Sequence, residues 1–110
     1  MESKLTYPNG ALYAVITDER RTYFYENGVL KTVEHYQEGR LHGEALLYWP
    51  NGKLKRKSEF VCGIRHGIDH MWTEEGVLCD EGTYKEGKPM GIHRQWDGNG
   101  KLIEEISYVC

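Results

Sequence analysis

The side chains of this chain with chemical potential are five histidines, three cysteines and several adjacent carboxylates, and their spacing decides what chemistry is open to them. His66 and His70 are spaced i, i+4, the interval at which a helix offers two zinc ligands. Gly63 and Gly67 flank His66, however, and place the pair in a turn followed by a strand. His42 and His66 are equivalents one 24-residue unit apart. In a sheet that sets them two strands and about 10 Å apart, too far to share a zinc with bonds to nitrogen of about 2.0 Å. No metal site and no cofactor are expected; both imidazoles are assigned to backbone groups of their glycine-rich turns.

Cys62, Cys79 and Cys110 are odd in number and none belongs to a C-x-x-C pair, so reduced thiols are expected, with Cys110 able to crosslink two copies on oxidation. Neither they nor Ser3, Ser58 and Ser107 lie in a nucleophile elbow. Glu74/Glu75 and Glu104/Glu105 are sequence neighbours, and neighbours on a strand point to opposite faces. Such pairs do not converge on a substrate. No catalytic residue is assigned, and the chain is not expected to be an enzyme.

The elements that position these groups follow from the repeat. Gly28, Gly52, Gly76 and Gly100 recur every 24 residues, as do Tyr36, Phe60, Tyr84 and Tyr108. The same period links Phe24, Tyr48, Trp72 and Trp96, then Leu30, Leu54, Leu78 and Leu102, and the glycine pairs Gly39/Gly43, Gly63/Gly67 and Gly87/Gly91. Several marker sets with one period mean a tandem array. In every copy the first aromatic and the leucine are six apart, with a loop such as Pro50-Asn51-Gly52 between them. A type I turn closed by glycine at positive φ pairs Trp49 with Lys53 and Tyr48 with Leu54.

The spacing predicts strands near 4–7, 11–17, 21–25, 29–36, 44–49, 53–60, 68–73, 77–84, 92–97 and 101–108. Between them the seven-residue double-glycine connections, such as Val61 to Gly67, read as compact turns. The fold class is all-β: an elongated single-layer antiparallel β-meander of tandem hairpin repeats, one domain over 1–110. Residues 1–21 form an atypical N-terminal cap, six residues short because Gly10 and Gly28 are 18 apart, and the repeats fall at about 22–45, 46–69, 70–93 and a partial 94–110. Read as unbroken alternation, both aromatic columns and the leucines share one face, and Lys53, Lys55, Lys57 and Glu59 lie opposite.

Composition agrees with a thin sheet. With 39% apolar and 12% aromatic residues in 110, one face can be covered but not a thick core. The net charge of −3 argues against a general nucleic-acid partner. No apolar run approaches the ~18 residues of a membrane span, and the start lacks the regions of a signal peptide, so a cytoplasmic location is expected.

The segments Tyr36-Gln37-Glu38-Gly39-Arg40-Leu41-His42-Gly43 and Phe60-Val61-Cys62-Gly63-Ile64-Arg65-His66-Gly67 resemble the Y-x-x-G-x-x-H-G core of MORN repeats. Loops such as Tyr25-Glu26-Asn27-Gly28-Val29-Leu30 make the chain more similar to the bacterial 24-residue variant found in YwqK-type antitoxin components. The resemblance covers 22 to 110 and departs in the third copy, where Pro89-Met90-Gly91 lacks the histidine. It implies a hairpin array without catalysis, acting through protein contacts, dimer formation or phosphoinositide head groups, and, for the bacterial variant, immunity to a toxin.

Because a one-layer sheet leaves an aromatic face uncovered, Tyr48, Trp72, Trp96 and Tyr84 are the expected binding surface for a protein partner on a concave face, with Arg65, His70 and Arg94 as polar anchors. A second reading is a scaffold that dimerises through the edge strand 101–108, whose Leu102, Ile106 and Tyr108 share one side. A third is a membrane adaptor in which Lys53, Lys55, Arg56 and Lys57 bind a lipid head group, against the plainer role of lysines as aggregation gatekeepers.

Overall fold

The computed structural model describes residues 1–108 of the chain; Cys110 and the crosslink expected of it lie outside the described residues. The strands are β1 (Ser3–Thr6), β2 (Leu12–Ile16), β3 (Arg20–Phe24), β4 (Leu30–Gln37), β5 (Arg40–Tyr48), β6 (Leu54–Val61), β7 (Ile64–Arg65), β8 (Gly67–Trp72), β9 (Leu78–Lys85), β10 (Lys88–Trp96) and β11 (Leu102–Tyr108). They form one antiparallel sheet in chain order, with the short β7 continuing the line of β8 against the end of β6. The array measures 46 × 35 × 14 Å, one layer thick. This is the expected meander.

Its two long edges are made by different turns. On one edge sit the three-residue loops: Trp49 N–H donates to Lys53 O at 2.8 Å and Gly52 N–H to Trp49 O at 2.9 Å, with Tyr48 opposite Leu54, as the Asn-Gly spacing demands. The same pair of bonds closes the loops after Tyr7, Tyr25, Thr73 and Asp97. On the other edge the connections are shorter than expected. Strand pairing continues through Gln37–Arg40, Val61–Ile64 and Lys85–Lys88, leaving two-residue tips at Glu38-Gly39, Cys62-Gly63 and Glu86-Gly87. Both residues of each tip have positive φ, 51° at Glu38 and 77° at Gly39 for example, which is the primed turn that matches the twist of its strands. The second glycine of each pair is therefore no part of the turn. It lies where the register slips by two residues, between Met90 and Arg94 in β10 for instance.

A second slip overturns the expectation that the columns share a face. Leu47 pairs with Arg56 but Tyr48 with Leu54, so Lys55 is an extra residue, and the same shift precedes Phe24, Trp72 and Trp96. One inserted residue inverts parity along β6. Tyr48 follows Leu46, partner of Lys57, whereas Phe60 follows Ser58, partner of Ala45. The column Phe24/Tyr48/Trp72/Trp96 is on one face and Tyr36/Phe60/Tyr84/Tyr108 on the other.

The face of Phe60 holds the buried residues, and we call it the sheltered face. Ala14 is 0% exposed, Ala45 6%, Ser58 3% and Asp69 6%, and Gly82 is buried beside them. Among the described residues Ala14 and Ala45 are the buried apolar side chains, so the array is held by its ladders and by contacts between successive units more than by a core.

Those contacts recur. From the loop edge, the Tyr7 hydroxyl donates to Phe24 O at 2.7 Å, the Tyr25 hydroxyl to Tyr48 O at 2.6 Å and Trp49 Nε1 to Trp72 O at 3.0 Å, each tying one loop to the next. Asn27 and Asn51 do likewise, donating to Pro50 O and Glu74 O. At the tips, Gly63 N–H donates to Leu41 O at 2.7 Å and Gly87 N–H to Arg65 O at 2.8 Å.

Candidate functional site

The open face carries a strip of half-buried aromatics at the loop edge, Phe24, Tyr48, Trp72 and Trp96, each opposite the leucine of its own hairpin. One row inward the side chains change character across the sheet. Val15, Thr22, Val33 and Leu46 are paired neighbours in the first half, followed by Lys57, His70, Glu81, Arg94 and Glu105. From Glu81 to Glu105 the charges alternate in sign. Arg94 Nε meets Glu105 Oε2 at 2.9 Å, and His70 Nε2 lies 3.8 Å from Glu81 Oε2 while its ring packs on Trp72 with centroids 5.6 Å apart. Beyond this row Ile68 and Ile92 are each 46% exposed. Around Trp72 and Trp96 the open face thus combines aromatic, aliphatic and ion-paired groups.

Of the residues expected to form one binding surface, Tyr48, Trp72, Trp96, His70 and Arg94 are gathered on this face. Tyr84 and Arg65 are not. Both lie on the sheltered face, where the Arg65 guanidinium stacks across the rings of Phe60 (5.5 Å) and Tyr84 (5.2 Å) and pairs with Asp69. The cause is the parity change at Lys55 and its equivalents.

Asp69 is the centre of a network that sequence reading missed. Arg56 donates from Nη2 to Asp69 Oδ2 at 2.7 Å and from Nε to Oδ1 at 3.2 Å, and the Ser58 hydroxyl donates to Oδ1 at 2.9 Å. Burial by itself raises the Asp69 pKa; hydrogen bonds from Arg56 and Ser58, with the charges of Arg56 and Arg65, outweigh it and hold the carboxyl below its ordinary value. The same bond keeps the Arg56 guanidinium above its own. A signal was available, since Asp69 stands where the preceding unit has Ala45 and the following one His93.

His93 is held differently. Its ring lies edge-on to Tyr84 at 5.3 Å and Tyr108 at 4.7 Å, Nε2 is 2.9 Å from Thr83 O, and it covers Gly82, where a Cβ would overlap the ring.

The basic run does not form one patch. Arg56 is turned to Asp69, Lys55 lies over the Trp49 ring at 4.6 Å, Lys57 pairs with Glu44 at 3.0 Å on the open face, and Lys53 Nζ donates to Glu75 O at 3.2 Å. The hydrogen bond and charge of Glu44 raise the Lys57 pKa. The expectation that Lys53, Lys55 and Lys57 line one solvated side is corrected by the same extra residue, which carries Lys55 to the sheltered face with Arg56.

His42 and His66 take the backbone role expected of them, but across units. His42 Nδ1 accepts from Cys62 N–H at 3.2 Å, and His66 Nδ1 from Glu86 N–H at 3.4 Å. Cys62 is exposed, whereas Cys79 is half-buried, with burial and the charge of Asp80 raising its pKa. Among the described residues no three His, Cys, Asp or Glu side chains are placed to hold a metal, and no helix is long and apolar enough to cross a membrane.

No curated protein matches the chain. Among solved structures it is similar to TarM (TM-score 0.45, 15% identity, 94% of this chain and 19% of that one) and to a variant of S. aureus TarM in complex with fondaparinux, alpha-GlcNAc-glycerol and UDP (TM-score 0.47, 13% identity, 96% and 19%). The chain spans about a fifth of the length of either. The MORN repeat variant model matches residues 20–38, 41–61 and 91–109, and the MORN repeat model residues 81–92. These stretches follow the hairpins described above and the variant alone takes in more than half of the sequence: the chain belongs to the MORN repeat variant family.

Proposed function

We propose that the chain is a non-catalytic interaction module that binds a protein partner through the open face, with Tyr48, Trp72 and Trp96 as anchors and His70 and Arg94 as polar contacts. The observation that carries this reading is the aromatic strip on a sheet only 14 Å thick: no second layer of the described residues covers Trp72 and Trp96. Flat rings with little side-chain entropy to lose, bordered by ion pairs, are what the centre of a protein interface requires. An immunity role toward a toxin, implied by the bacterial variant, is one form of this reading.

The test is affinity capture from the native host with the immobilised chain, then measurement of the purified partner's Kd. Trp72→Ala and Trp96→Ala should each weaken binding by about 30-fold or more, with the strand signal in circular dichroism retained. A partner that binds both variants as tightly as the parent chain removes the strip from the interface.

The second reading, self-association through β11, is favoured by one feature. Among the described residues β11 pairs only with β10, and Leu102, Ile103 and Ile106 are 46%, 66% and 40% exposed along it. Light scattering over a dilution series separates the two, because this reading requires a dimer that dissociates. We rank the lipid-adaptor reading below both, since the four basic side chains point to separate partners.

A further inference from the structure

Successive tips are joined by a fixed pair of backbone donors. Gly63 and Gly87 donate to Leu41 O and Arg65 O, and Cys62 and Glu86 donate to His42 and His66. In the first tip the same donors, Glu38 N–H and Gly39 N–H, reach no acceptor among the described residues. The reason lies in the short cap. The chain turns back between Thr17 and Arg20, where Thr17 N–H donates to Arg20 O at 2.8 Å, and the ladder toward β4 ends with Tyr36 N–H on Glu19 O at 2.8 Å. Past that bond β4 keeps β5 on one side but has no strand on its β3 side, and a notch of about 740 Å³ opens there.

The walls of the notch are acidic on balance. Asp18, Glu19 and Glu38 line it, exposed and without ion-pair partners among the described residues, with Arg20 as the one fixed cation. The two later tips display what fits such donors. There the place is taken by an extended stretch of the preceding unit, Arg40-Leu41-His42 or Ile64-Arg65-His66, which supplies a carbonyl and an imidazole and carries a basic residue.

We propose that the notch is a strand-docking site for a short extended segment of a partner polypeptide, its backbone carbonyls accepting from Glu38 and Gly39 N–H and a basic side chain meeting Asp18, Glu19 and Glu38. Strand addition of this kind draws affinity from main-chain bonds and selectivity from side chains. The site is separate from the open-face strip and does not depend on it.

The probe is a capped peptide, Gly-Ile-Arg-His-Gly-Ile, the sequence of residues 63–68 that occupies the equivalent place in the array. Titrated into the ¹⁵N-labelled chain, it should shift the Glu38 and Gly39 amide signals saturably and slow their hydrogen exchange, while Cys62, Gly63, Glu86 and Gly87 stay in place. Asp18→Asn with Glu19→Gln, at exposed turn positions, should weaken the interaction about tenfold at low salt. Trp72→Ala should leave the titration unchanged, so that failure here is distinguishable from failure of the open-face reading. Equal shifts at all three tips, no saturation, or an affinity indifferent to the two carboxylates would overturn the proposal.

Discussion

Asp69 and His93 occupy one position of the repeat, 24 residues apart on the sheltered face, yet the neighbourhood of each is rebuilt to suit it. Around Asp69 the unit supplies Arg56, Ser58 and Arg65, which turn a buried carboxylate into an ion-paired hub. The equivalents around His93 are Asp80, Gly82 and Pro89. There aspartate and proline replace the two arginines, glycine makes room for the ring, and Tyr84 and Tyr108 close on it. The repeat sets the backbone, and each unit settles its interior through the residues that surround one position. The two solutions are not interchangeable.

The largest test of that difference is Asp69→Ala. It leaves two guanidinium groups without their carboxylate, and since Arg56 and Arg65 are 31% and 28% exposed, water offsets part of the loss. We expect a cost of about 2–3 kcal/mol and a melting temperature about 10 °C lower. The pH dependence has a definite sign. A carboxyl whose folded pKa is depressed contributes stability that is fully present above its unfolded value and is lost as the pH falls through the folded one. The advantage of the parent chain over Asp69→Ala should therefore be complete at pH 7 and shrink below about pH 4. A gap that stays constant to low pH would mean that Asp69 contributes by packing alone.

The His93 side is sharpened by Gly82→Ala. Here the methyl meets the imidazole, and either the ring leaves its place between Tyr84 and Tyr108 or β9 shifts. An overpacking cost of about 1–3 kcal/mol is expected from thermal unfolding. Adding His93→Ala to it should restore most of the loss, because the two sites share one space. Ser58→Ala at the equivalent position creates no clash and removes one hydrogen bond, about 1 kcal/mol. If both glycine and serine variants behaved alike, the steric account of His93 would be wrong.

How far these features could be read in advance depends on whether each leaves a mark in the residues. The three-residue loops are legible because glycine at positive φ has a strong sequence preference, and Asn27 and Asn51 reinforce it by accepting from Val29 and Lys53 N–H. The tips are half legible: Glu38, Cys62 and Glu86 adopt positive φ without being glycine, so the turn looks longer than it is. The face assignment fails for a plainer reason. The extra residue is Lys31, Lys55, Cys79 or Ile103 in successive units, a set with no common chemistry, because a bulge places few demands on side-chain type. Once parity is lost, Tyr84 and Arg65 pass to the wrong surface. The Asp69 network was hidden by the habit of reading a repeat for what recurs, when its chemistry lies where Ala45, Asp69 and His93 differ.

The same contrast between constant backbone and variable filling can be pursued at the loop edge, where the effects are smaller. Tyr7, Tyr25 and Trp49 each reach the next loop, but their equivalents Thr73 and Asp97 turn inward, Thr73 Oγ1 accepting from Val77 N–H at 3.1 Å and Asp97 Oδ1 from Asn99 N–H at 2.9 Å. The first three loops are thus tied forward by these side chains, while Thr73 and Asp97 bond within their own loops. Replacing Trp49 by Phe keeps most of the ring beneath Lys55 and deletes the bond to Trp72 O, a loss of about 0.5–1.5 kcal/mol. In a linear array each unit depends on its neighbours, so the effect should be local: faster hydrogen exchange of amides around the 73–77 loop, with those of β2 and β3 unchanged. A uniform rise in exchange across the sheet would show that the array unfolds as a single cooperative body and that its edge bonds are not the joints between units.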